Sequence, residues 1–456
     1  MMTNDNIKEK YPCIISHNIG LHIQPNQAFL SWRSEKPSIQ TTGITINSVG
    51  AEIIQMINGQ NSLKRLVEYF SDKYNDTFEN IYRKISSFII ELKDKYNVPI
   101  EFLSSPQPCK INFTGSKDYL VPLHAAIELT YKCNLKCKHC YIESDMSRNE
   151  TMPLEKAKKI LKELKQLGIR TIELTGGEPT LHPSFFEILN YSYDLDFDLI
   201  GLLTNGTLLN EELISYIAEH KDKIIVQIDL HGSKREYVEW FTGKTFAFDR
   251  MKTSIAALAS KGVIMRVVAS ITPLNIDQMD EIAKIAKDAG VFAVGFAPIV
   301  PMGRAIQESD KLLITEQSIL LNFSKKFKNL KEHYGSHFIF SMDERNNSSI
   351  NCGTGTKSIT ISPLGFIKLC QMASQPLSMD SLFYKSLEGI LKENKTLFLS
   401  LVNLPSPSPS ICSNCENLWF CENCILRGII KAKEKKEDCM WFQKQIKGTF
   451  LEKLLF

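Results

Sequence analysis

Three cysteines in the first half of the sequence have the spacing of cluster ligands. Cys133, Cys137 and Cys140 are separated by three and by two residues, and they follow a short apolar run. Three thiolates on one loop can bind three corners of a four-iron cluster and leave the fourth iron without a protein ligand. A zinc site normally has four protein ligands, and His139 is a poor fourth ligand because it adjoins Cys140. The pattern therefore favours an iron-sulfur cluster whose open iron can bind and reduce a small molecule.

A second motif follows the next predicted strand. Gly176, Gly177, Glu178 and Pro179 stand directly after the apolar run 171–175. A glycine pair before a proline is usually only a tight turn. Here the pair comes one strand and one helix after the cysteine loop, so its backbone can approach a ligand closely and Glu178 can offer a carboxylate to an ammonium group.

A second group of seven cysteines lies near the end of the chain. No cysteine separates it from the first group, and its members are Cys352, Cys370, Cys412, Cys415, Cys421, Cys424 and Cys439. Clustering of this kind indicates metal ligands. Cys13 and Cys109 stand apart, and we expect them to be unligated buried thiols without a role.

The elements that must position these residues alternate between strands and helices. Six apolar runs read as parallel strands: 125–129, 171–175, 199–203, 224–228, 265–269 and 293–297. Helical periodicity occurs between them, for example at 154–167 and 276–289. We predict an α/β fold in which residues 119–345 form a partial (βα)6 barrel, with its chemistry at the carboxyl ends of the strands.

The first segment, residues 1–105, has a different pattern. A small strand pair precedes three amphipathic helices, at 47–59, 63–74 and 77–96, which describes a winged-helix-like domain. The first helix has Ser48 or Asn47 as its cap, and its apolar residues lie on one face: Val49, Ile53, Ile54 and Ile57. Neither later helix carries a basic stripe, so capture of a peptide as an added strand is a better interpretation than DNA binding.

Composition narrows the class of protein further. The 456 residues include 54 Lys and Arg against 51 Asp and Glu, and this near balance predicts no nucleic-acid partner. The start lacks a signal peptide, and no run is long enough to span a membrane, so we expect a cytoplasmic protein. A reducing cytosol argues against reading the 12 cysteines as a disulfide framework. We expect an irregular last segment in which metal clusters replace much of the core.

Together, the two early motifs resemble those of the radical S-adenosylmethionine (radical SAM) superfamily. The resemblance implies that Cys133, Cys137 and Cys140 hold a [4Fe-4S] cluster whose open iron binds S-adenosylmethionine. It further implies contacts to this cofactor from Gly176, Gly177, Glu178 and Pro179, with His139 beside the adenine. Asn205, Ser270 and Arg304 follow later strands, and we predict that they also line the cofactor site.

The late cysteines resemble the SPASM extension of peptide-modifying radical enzymes, which we place at residues 350–456. This resemblance implies two auxiliary [4Fe-4S] clusters, three clusters in all. One auxiliary cluster would be ligated by Cys412, Cys415, Cys421 and Cys439, and the other by Cys352, Cys370 and Cys424. The departure from the family pattern is Cys421-x2-Cys424, where three intervening residues are usual. Three ligands leave an iron that can take a substrate thiolate or water.

Strings in all three regions resemble the sactionine-type thioether synthases of ribosomally made peptides; one runs from Asn351 to Gly365. The resemblance implies a precursor peptide whose leader binds the first domain, and an electron donor such as flavodoxin or ferredoxin. It also implies that a 5′-deoxyadenosyl radical takes a hydrogen atom from a peptide carbon, which a cysteine sulfur then joins, at Cα. Thioethers at Cβ or Cγ, carbon-carbon crosslinks, a whole-protein substrate and an inactive leader-binding partner are the alternatives.

Overall fold

The computed structural model describes residues 8–15, 19–32, 42–109, 111–341, 350–374 and 376–455. The chain forms two compact units, Met1–Val121 and Pro122–Phe456. The barrel and the cysteine-rich segment predicted from the sequence both fall in the second unit, and the boundary between them stays a prediction. None of the described helices combines the length and the apolar character needed to cross a membrane.

The first unit has two small sheets and three helices. Its strands are β1 (Tyr11–Ile14), β2 (Ile19–Gln24), β3 (Gln27–Trp32), β4 (Thr42–Asn47), β5 (Ile100–Leu103) and β6 (Asn112–Gly115). Its helices are α1 (Ser48–Met56), α2 (Leu63–Tyr74) and α3 (Phe78–Asp94). Strands β4, β3, β2 and β6 form one sheet in that order, and β1 pairs with β5. The sequence predicted a single strand pair, because β1, β5 and β6 are too short to show a clear alternation.

Local signals explain where the three helices begin. The side chains of Asn47, Ser62 and Thr77 each accept a hydrogen bond from a first-turn amide that has no partner inside the helix. The structure thus selects Asn47 over Ser48 as the first cap. Val49, which the sequence places on the apolar face of α1, is 36% exposed at a groove beside β4.

The prediction that Cys13 and Cys109 are separate thiols is also wrong. The structure joins their sulfur atoms in a disulfide across 96 residues of sequence. The backbone amide of Cys109 donates to the carbonyl of Asn58 at 2.9 Å, which brings the end of this segment against β1. A contact this distant in sequence leaves no local signal.

The second unit contains the predicted barrel strands and helices. The strands are β7 (His124–Thr130), β8 (Thr171–Gly176), β9 (Leu199–Thr204), β10 (Ile224–Asp229), β11 (Met265–Ile271) and β12 (Ala293–Pro298). They pair in parallel in this order. The helices between them are α4 (Leu154–Gln166), α5 (Phe185–Asp194), α6 (Glu211–Glu219), α7 (Arg235–Thr242), α8 (Ala247–Ser260) and α9 (Met279–Asp288). The predicted α/β fold with a partial (βα)6 barrel is confirmed, and its strands end at one edge.

The barrel sheet extends beyond the six predicted strands on both sides. Helices α10 (Ser309–Leu312) and α11 (Gln317–Tyr334) lead to β13 (Ile339–Ser341), which pairs in parallel with β12. On the other side, β14 (Ser358–Ile361) pairs in parallel with β7, and β15 (Phe366–Lys368) and β16 (Pro376–Ser381) continue antiparallel. The described sheet therefore has ten strands, and the cysteine-rich segment contributes three of them.

The rest of the cysteine-rich segment is helical, so the expectation of an irregular segment with little core is wrong. Its helices are α12 (Leu387–Glu393), α13 (Lys395–Asn403), α14 (Leu418–Cys421), α15 (Ile425–Lys435), α16 (Met440–Gln445) and α17 (Phe450–Leu455). Leu401, Ile425 and Trp441 belong to a buried apolar cluster that also includes Cys412. Most of these helices are too short to show a periodic pattern. Short 3-10 turns occur at Pro179–Leu181, Ile276–Gln278, Gly303–Ile306 and Lys436–Asp438.

Candidate active site

The first three cysteines lie on the loop that leaves the carboxyl end of β7. Burial raises the pKa of Cys133 to about 12. Burial also raises the pKa of Cys137, and the charges of Cys133 and Cys140 raise it further, so the three thiols lie within electrostatic reach of one another. Metal ligation requires thiolates, which these surroundings disfavour without a cation. A positively charged cluster core would supply the missing compensation.

Hydrogen bonds from the turn Gly303–Ile306, which follows β12, hold this loop in place. The guanidinium of Arg304 donates from Nε to the carbonyl of Cys137 at 3.0 Å and from a terminal nitrogen to the carbonyl of Ser144. Its backbone amide donates to the carbonyl of Cys140 at 3.1 Å. At Gly303, with φ of +54°, a β-carbon would lie 2.4 Å from the same carbonyl oxygen. Arg304 thus supports the thiol loop, and its predicted contact with the cofactor stays a prediction.

The two glycines after β8 are required by the chain itself. A β-carbon at Gly176, whose φ is +134°, would lie 2.3 Å from the carbonyl oxygen of Thr130. A β-carbon at Gly177 would lie 2.4 Å from the carbonyl oxygen of Lys132. The amides of Gly177 and Glu178 donate to these two carbonyls at 2.7 and 2.9 Å. The glycine motif therefore packs directly against the start of the thiol loop.

The carboxylate of Glu178 is fully buried and joins three segments. One oxygen accepts hydrogen bonds from the amide and hydroxyl of Thr180, at 3.1 and 2.6 Å, and from the hydroxyl of Thr204 at 2.7 Å. The other oxygen accepts from the amide of Asn205 at 2.8 Å. Burial raises the pKa of Glu178. The predicted contact between Glu178 and an ammonium group would be additional to these bonds. Pro179, also buried, begins the short turn after the carboxylate.

Asn205 connects the end of β9 to the thiol loop. Its side-chain amide donates to the side-chain oxygen of Asn134 at 2.9 Å and approaches the sulfur of Cys133 at 3.8 Å. Its side-chain oxygen accepts from the amide of Thr207 at 2.9 Å. The structure therefore brings Asn205 into the first thiol site, as the position of the residue after a barrel strand predicts.

His139 lies in a buried aromatic group. Its ring stacks on Phe241 with centroids 4.8 Å apart and meets the edge of His231 at 4.7 Å. Burial lowers the pKa of His139 to about 4 and holds the pKa of His231 well below its usual range, so both rings are neutral at pH 7. His231 Nδ1 accepts from the amide of Ser270 at 3.2 Å. In the described part of the chain, Nδ1 of His139 has no hydrogen-bond partner.

Two further side chains near the thiols carry no assignment from the sequence. Burial raises the pKa of Asp229, at the end of β10, to about 6, and Glu178 adds to the shift. Burial also raises the pKa of Tyr141, and the charges of Cys140 and Cys370 contribute. Tyr141 directly follows Cys140 in the chain and lies within electrostatic range of Cys370.

The late cysteines form two groups. Burial raises the pKa of Cys370 to about 11, and Cys424 and Cys352 contribute to the shift. The other group lines a cavity of about 500 Å³ and consists of Cys412, Cys415, Cys421 and Cys439. The assignment of these two groups to two auxiliary clusters stays a prediction. Among the described residues, no three His, Cys, Asp or Glu side chains converge as the ligands of one metal ion do.

Comparisons with known proteins match a different family in each of the two units. Residues 127–289 match the radical SAM superfamily, and residues 38–97 match coenzyme PQQ synthesis protein D. The antilisterial bacteriocin subtilosin biosynthesis protein AlbA of Bacillus subtilis (strain 168) is 28% identical over 95% of this chain and 97% of its own. The chain is a radical SAM enzyme.

Two other proteins resemble this radical SAM enzyme over most of its length. The sporulation killing factor maturation protein SkfB of Bacillus subtilis (strain 168) is 24% identical over 75% of the chain and 77% of its own. The crystal structure of Streptococcus suis SuiB bound to precursor peptide SuiA superimposes with a TM-score of 0.63, covering 92% of this chain and 97% of that one. At 15% identity, SuiB supports the fold alone.

Membership of the radical SAM family implies S-adenosylmethionine and a [4Fe-4S] cluster, and the residues fit both. Three buried or partly buried thiols on one loop suit a cluster with one open iron. The unpartnered Nδ1 of the buried His139 ring gives a nearby ligand a hydrogen-bonding site. The sequence missed the supporting residues, Thr204, Ser144 and Gly303, because their contacts connect segments that are distant along the chain.

Proposed function

We propose that this radical SAM enzyme forms thioether crosslinks within a ribosomally synthesised peptide, joining a cysteine sulfur to the Cα of another residue. The observation that carries the proposal is a direct attachment between the late thiol segment and the strand that leads to the first thiol loop. The ammonium group of Lys368, two residues before Cys370, lies 2.8 Å from the carboxylate of Glu128, five residues before Cys133. A peptide bound between these two segments could present a carbon to one thiol group and a sulfur to the other.

The comparisons support the substrate class. The names of AlbA and SkfB assign them to the biosynthesis of a bacteriocin and the maturation of a killing factor. The resemblance to AlbA extends over nearly the whole of both chains, including the first unit. A peptide carrying at least one cysteine is therefore the substrate we propose.

The residues near the first site divide into those that hold the cluster and those that hold the cofactor. We assign Cys133, Cys137 and Cys140 to the cluster. We assign S-adenosylmethionine to the surface made by Gly176, Gly177, Glu178, Pro179, His139, Asn205, Ser270 and Arg304. When bound, the first cluster, reduced by one electron from the external donor, and S-adenosylmethionine would supply hydrogen-atom removal from the peptide carbon with methionine and 5′-deoxyadenosine as products, and an auxiliary cluster would take up the second electron.

The three-thiol group suits a role in binding the substrate sulfur. Cys352, Cys370 and Cys424 supply three ligands to one auxiliary cluster, and a substrate thiolate is a soft ligand for its remaining iron. In each crosslink one S–H and one C–H bond break and one C–S bond forms. The peptide loses two hydrogens, and its thiol proton passes to solvent. The four-thiol group would hold the other auxiliary cluster, and a flavodoxin or ferredoxin in the cytoplasm would donate electrons to the enzyme.

The first unit offers a groove that fits the leader of such a peptide. The groove has a volume of about 380 Å³ between edge strand β4 and helices α1 and α3, and its lining includes Ile44, Val49, Phe88 and Tyr96. The exposed edge of β4 can pair with an extended peptide, while the apolar lining takes alternate side chains. The match of residues 38–97 to coenzyme PQQ synthesis protein D covers this groove.

The proposal is tested by anaerobic incubation of the iron-reconstituted enzyme with S-adenosylmethionine, a reductant and a candidate cysteine-containing precursor peptide. We expect the peptide mass to fall by two hydrogens per crosslink and the cysteine to resist alkylation. Fragmentation locates the modified carbon and separates Cα from Cβ or Cγ. A crosslink that leaves every cysteine alkylatable would favour carbon-carbon bond formation instead. Cofactor cleavage without any change in peptide mass would contradict the substrate assignment.

A further inference from the structure

Two side chains that flank Cys370 reach into the barrel and meet carboxylates on neighbouring strands. The ammonium group of Lys368 lies 2.8 and 2.9 Å from the two carboxylate oxygens of Glu128 on β7. The side-chain amide of Gln371 donates to the carboxylate of Glu173 on β8 at 3.0 Å. The backbone on both sides of one late cysteine is thus attached to the strands that carry the first thiol loop and the glycine motif.

The ion pair between Lys368 and Glu128 is among the most deeply buried in the described chain. The two side chains are 3% and 1% exposed. The ammonium group also donates to the backbone carbonyl of Gln371 at 3.1 Å, and the hydroxyl of Tyr131 donates to the carboxylate at 2.8 Å. Each charge therefore has several partners, and the hydrogen bonds define a single arrangement.

The second attachment belongs to a polar group inside the barrel. Glu173 also lies 3.2 Å from a guanidinium nitrogen of Arg266 and 3.6 Å from the ring of His124. The side chains of Glu173 and Arg266 stay 20% and 29% exposed inside the sheet, so they face an open lumen and not a packed core. Gln371 extends into that lumen directly after Cys370.

Stability alone does not account for the buried ion pair. Strand β15 is already paired with β14, which is paired with β7. A buried ion pair stabilises a fold little more than apolar residues of the same size would, but it fixes the register of the segments that it joins. We propose that Lys368 and Gln371 are positioning residues that fix Cys370, and with it the three-thiol auxiliary cluster, relative to the first cluster.

The effect of this attachment on crosslinking rests on the proposed function. Cys370 belongs to the three-thiol group that we assign to the substrate sulfur, so a shift of Cys370 changes the separation between the carbon that loses hydrogen and the sulfur that attacks it. Formation of the first radical uses neither Lys368 nor Gln371. Disruption of the attachment should therefore uncouple cofactor cleavage from crosslinking.

The test uses two variants and one control in the full-length enzyme. Lys368→Met alone would leave Glu128 charged and buried, so the variant is Lys368→Met with Glu128→Leu, which removes both charges together. Gln371→Leu is the second variant. The control is Lys159→Met, which removes a comparable bond, 2.9 Å long, from a barrel helix to the carbonyl of Leu382 and touches no thiol segment.

We expect all three proteins to fold and to bind as much iron as the unmodified enzyme. In the double variant and in Gln371→Leu, the electron paramagnetic resonance spectrum of the reduced auxiliary clusters should change. Crosslinks formed per 5′-deoxyadenosine should fall by ~10²-fold, the effect of a misplacement of about 1 Å. Lys159→Met should keep both the spectrum and the ratio.

An unchanged spectrum and an unchanged ratio in both test variants would overturn the proposal. The spectrum needs no peptide, so a changed spectrum supports the positioning role even if the unmodified enzyme crosslinks no peptide. Failure of the unmodified enzyme to crosslink any peptide would contradict the proposed function by itself. If the double variant does not fold, Gln371→Leu decides the question through the same two measurements.

Discussion

Adding one methyl group at Gly177 should separate the two loops that build the first thiol site. A β-carbon there would lie 2.4 Å from the carbonyl oxygen of Lys132 and 2.8 Å from that of Tyr131. Ordinary contact begins at 3.4 Å, so the loop must retreat by about 1 Å. Both obstacles are backbone atoms of the segment leading to Cys133, and a side-chain rotation cannot relieve them.

The magnitude of the effect follows from this displacement. Overpacking of this kind costs ~1–3 kcal/mol in unfolding free energy. A 1 Å misplacement of a cluster ligand can lower the rate of the chemical step by ~10²-fold. The variant Gly177→Ala should therefore be moderately destabilised and nearly inactive in cofactor cleavage.

Gly290→Ala is the matched control. Gly290 has a φ of +81° and nothing within 4 Å of its β-carbon position, so this substitution introduces backbone strain without a clash. It should cost ~1–2 kcal/mol, similar to the loss at Gly177. Anaerobic denaturant titration measures stability, and release of 5′-deoxyadenosine measures cleavage. Equal cleavage rates in the two variants would refute the claim that close packing of the loops is needed.

Three further predictions concern contacts elsewhere. Arg304→Lys should lower the iron content of purified enzyme and reduce the unfolding free energy in denaturant titration by ~1–3 kcal/mol. The reason is that an ammonium group cannot reproduce the two guanidinium hydrogen bonds to the carbonyls of Cys137 and Ser144. Full iron content would argue against a role of Arg304 in holding the thiol loop. His182 accepts a hydrogen bond from the amide of Ser184 and donates one to the carbonyl of Met152. Burial lowers the pKa of His182 in the folded protein. The contribution of His182 to the unfolding free energy is therefore present above its unfolded pKa of ~6.5 and is lost as the pH falls through the lower folded pKa. Unfolding free energy should thus fall more steeply with acid in the unmodified enzyme than in His182→Gln, and parallel curves would contradict the account. Ser62→Ala should lower the unfolding free energy by ~1 kcal/mol without changing iron content, because α2 loses the hydrogen bond that caps its first turn. An unchanged melting temperature would show that this hydrogen bond does not stabilise the helix.

Helices and strands whose bounds depend on residues nearby in the sequence are predicted closely. Helix α2 has the predicted bounds, because Ser62 caps it, apolar residues repeat at helical spacing, and Asn75 takes the left-handed conformation after it. The six barrel strands coincide with the predicted apolar runs to within about two residues at each end, a typical uncertainty of element boundaries. The division of the late thiols into two auxiliary ligand sets rests on the SPASM resemblance and stays a prediction.

Contacts between distant segments were not predictable in the same way. The pairing of β14 with β7 and the disulfide of Cys13 with Cys109 depend on tertiary structure alone. One signal was nevertheless present in the sequence. Glu128 and Glu173 each interrupt an apolar strand, and a charge inside such a run indicates either a partner or a functional site. The partners, Lys368 and Gln371, could be identified only from the structure.

Crosslinking at Cα is tested most directly by following the hydrogen atom that leaves the peptide. A precursor peptide carrying deuterium at the Cα of the modified residue is incubated anaerobically with the enzyme, S-adenosylmethionine and reductant, and the 5′-deoxyadenosine is analysed by mass spectrometry. We expect one deuterium to appear in 5′-deoxyadenosine for each thioether formed. Thioether formation with the deuterium retained in the peptide would contradict attack at Cα.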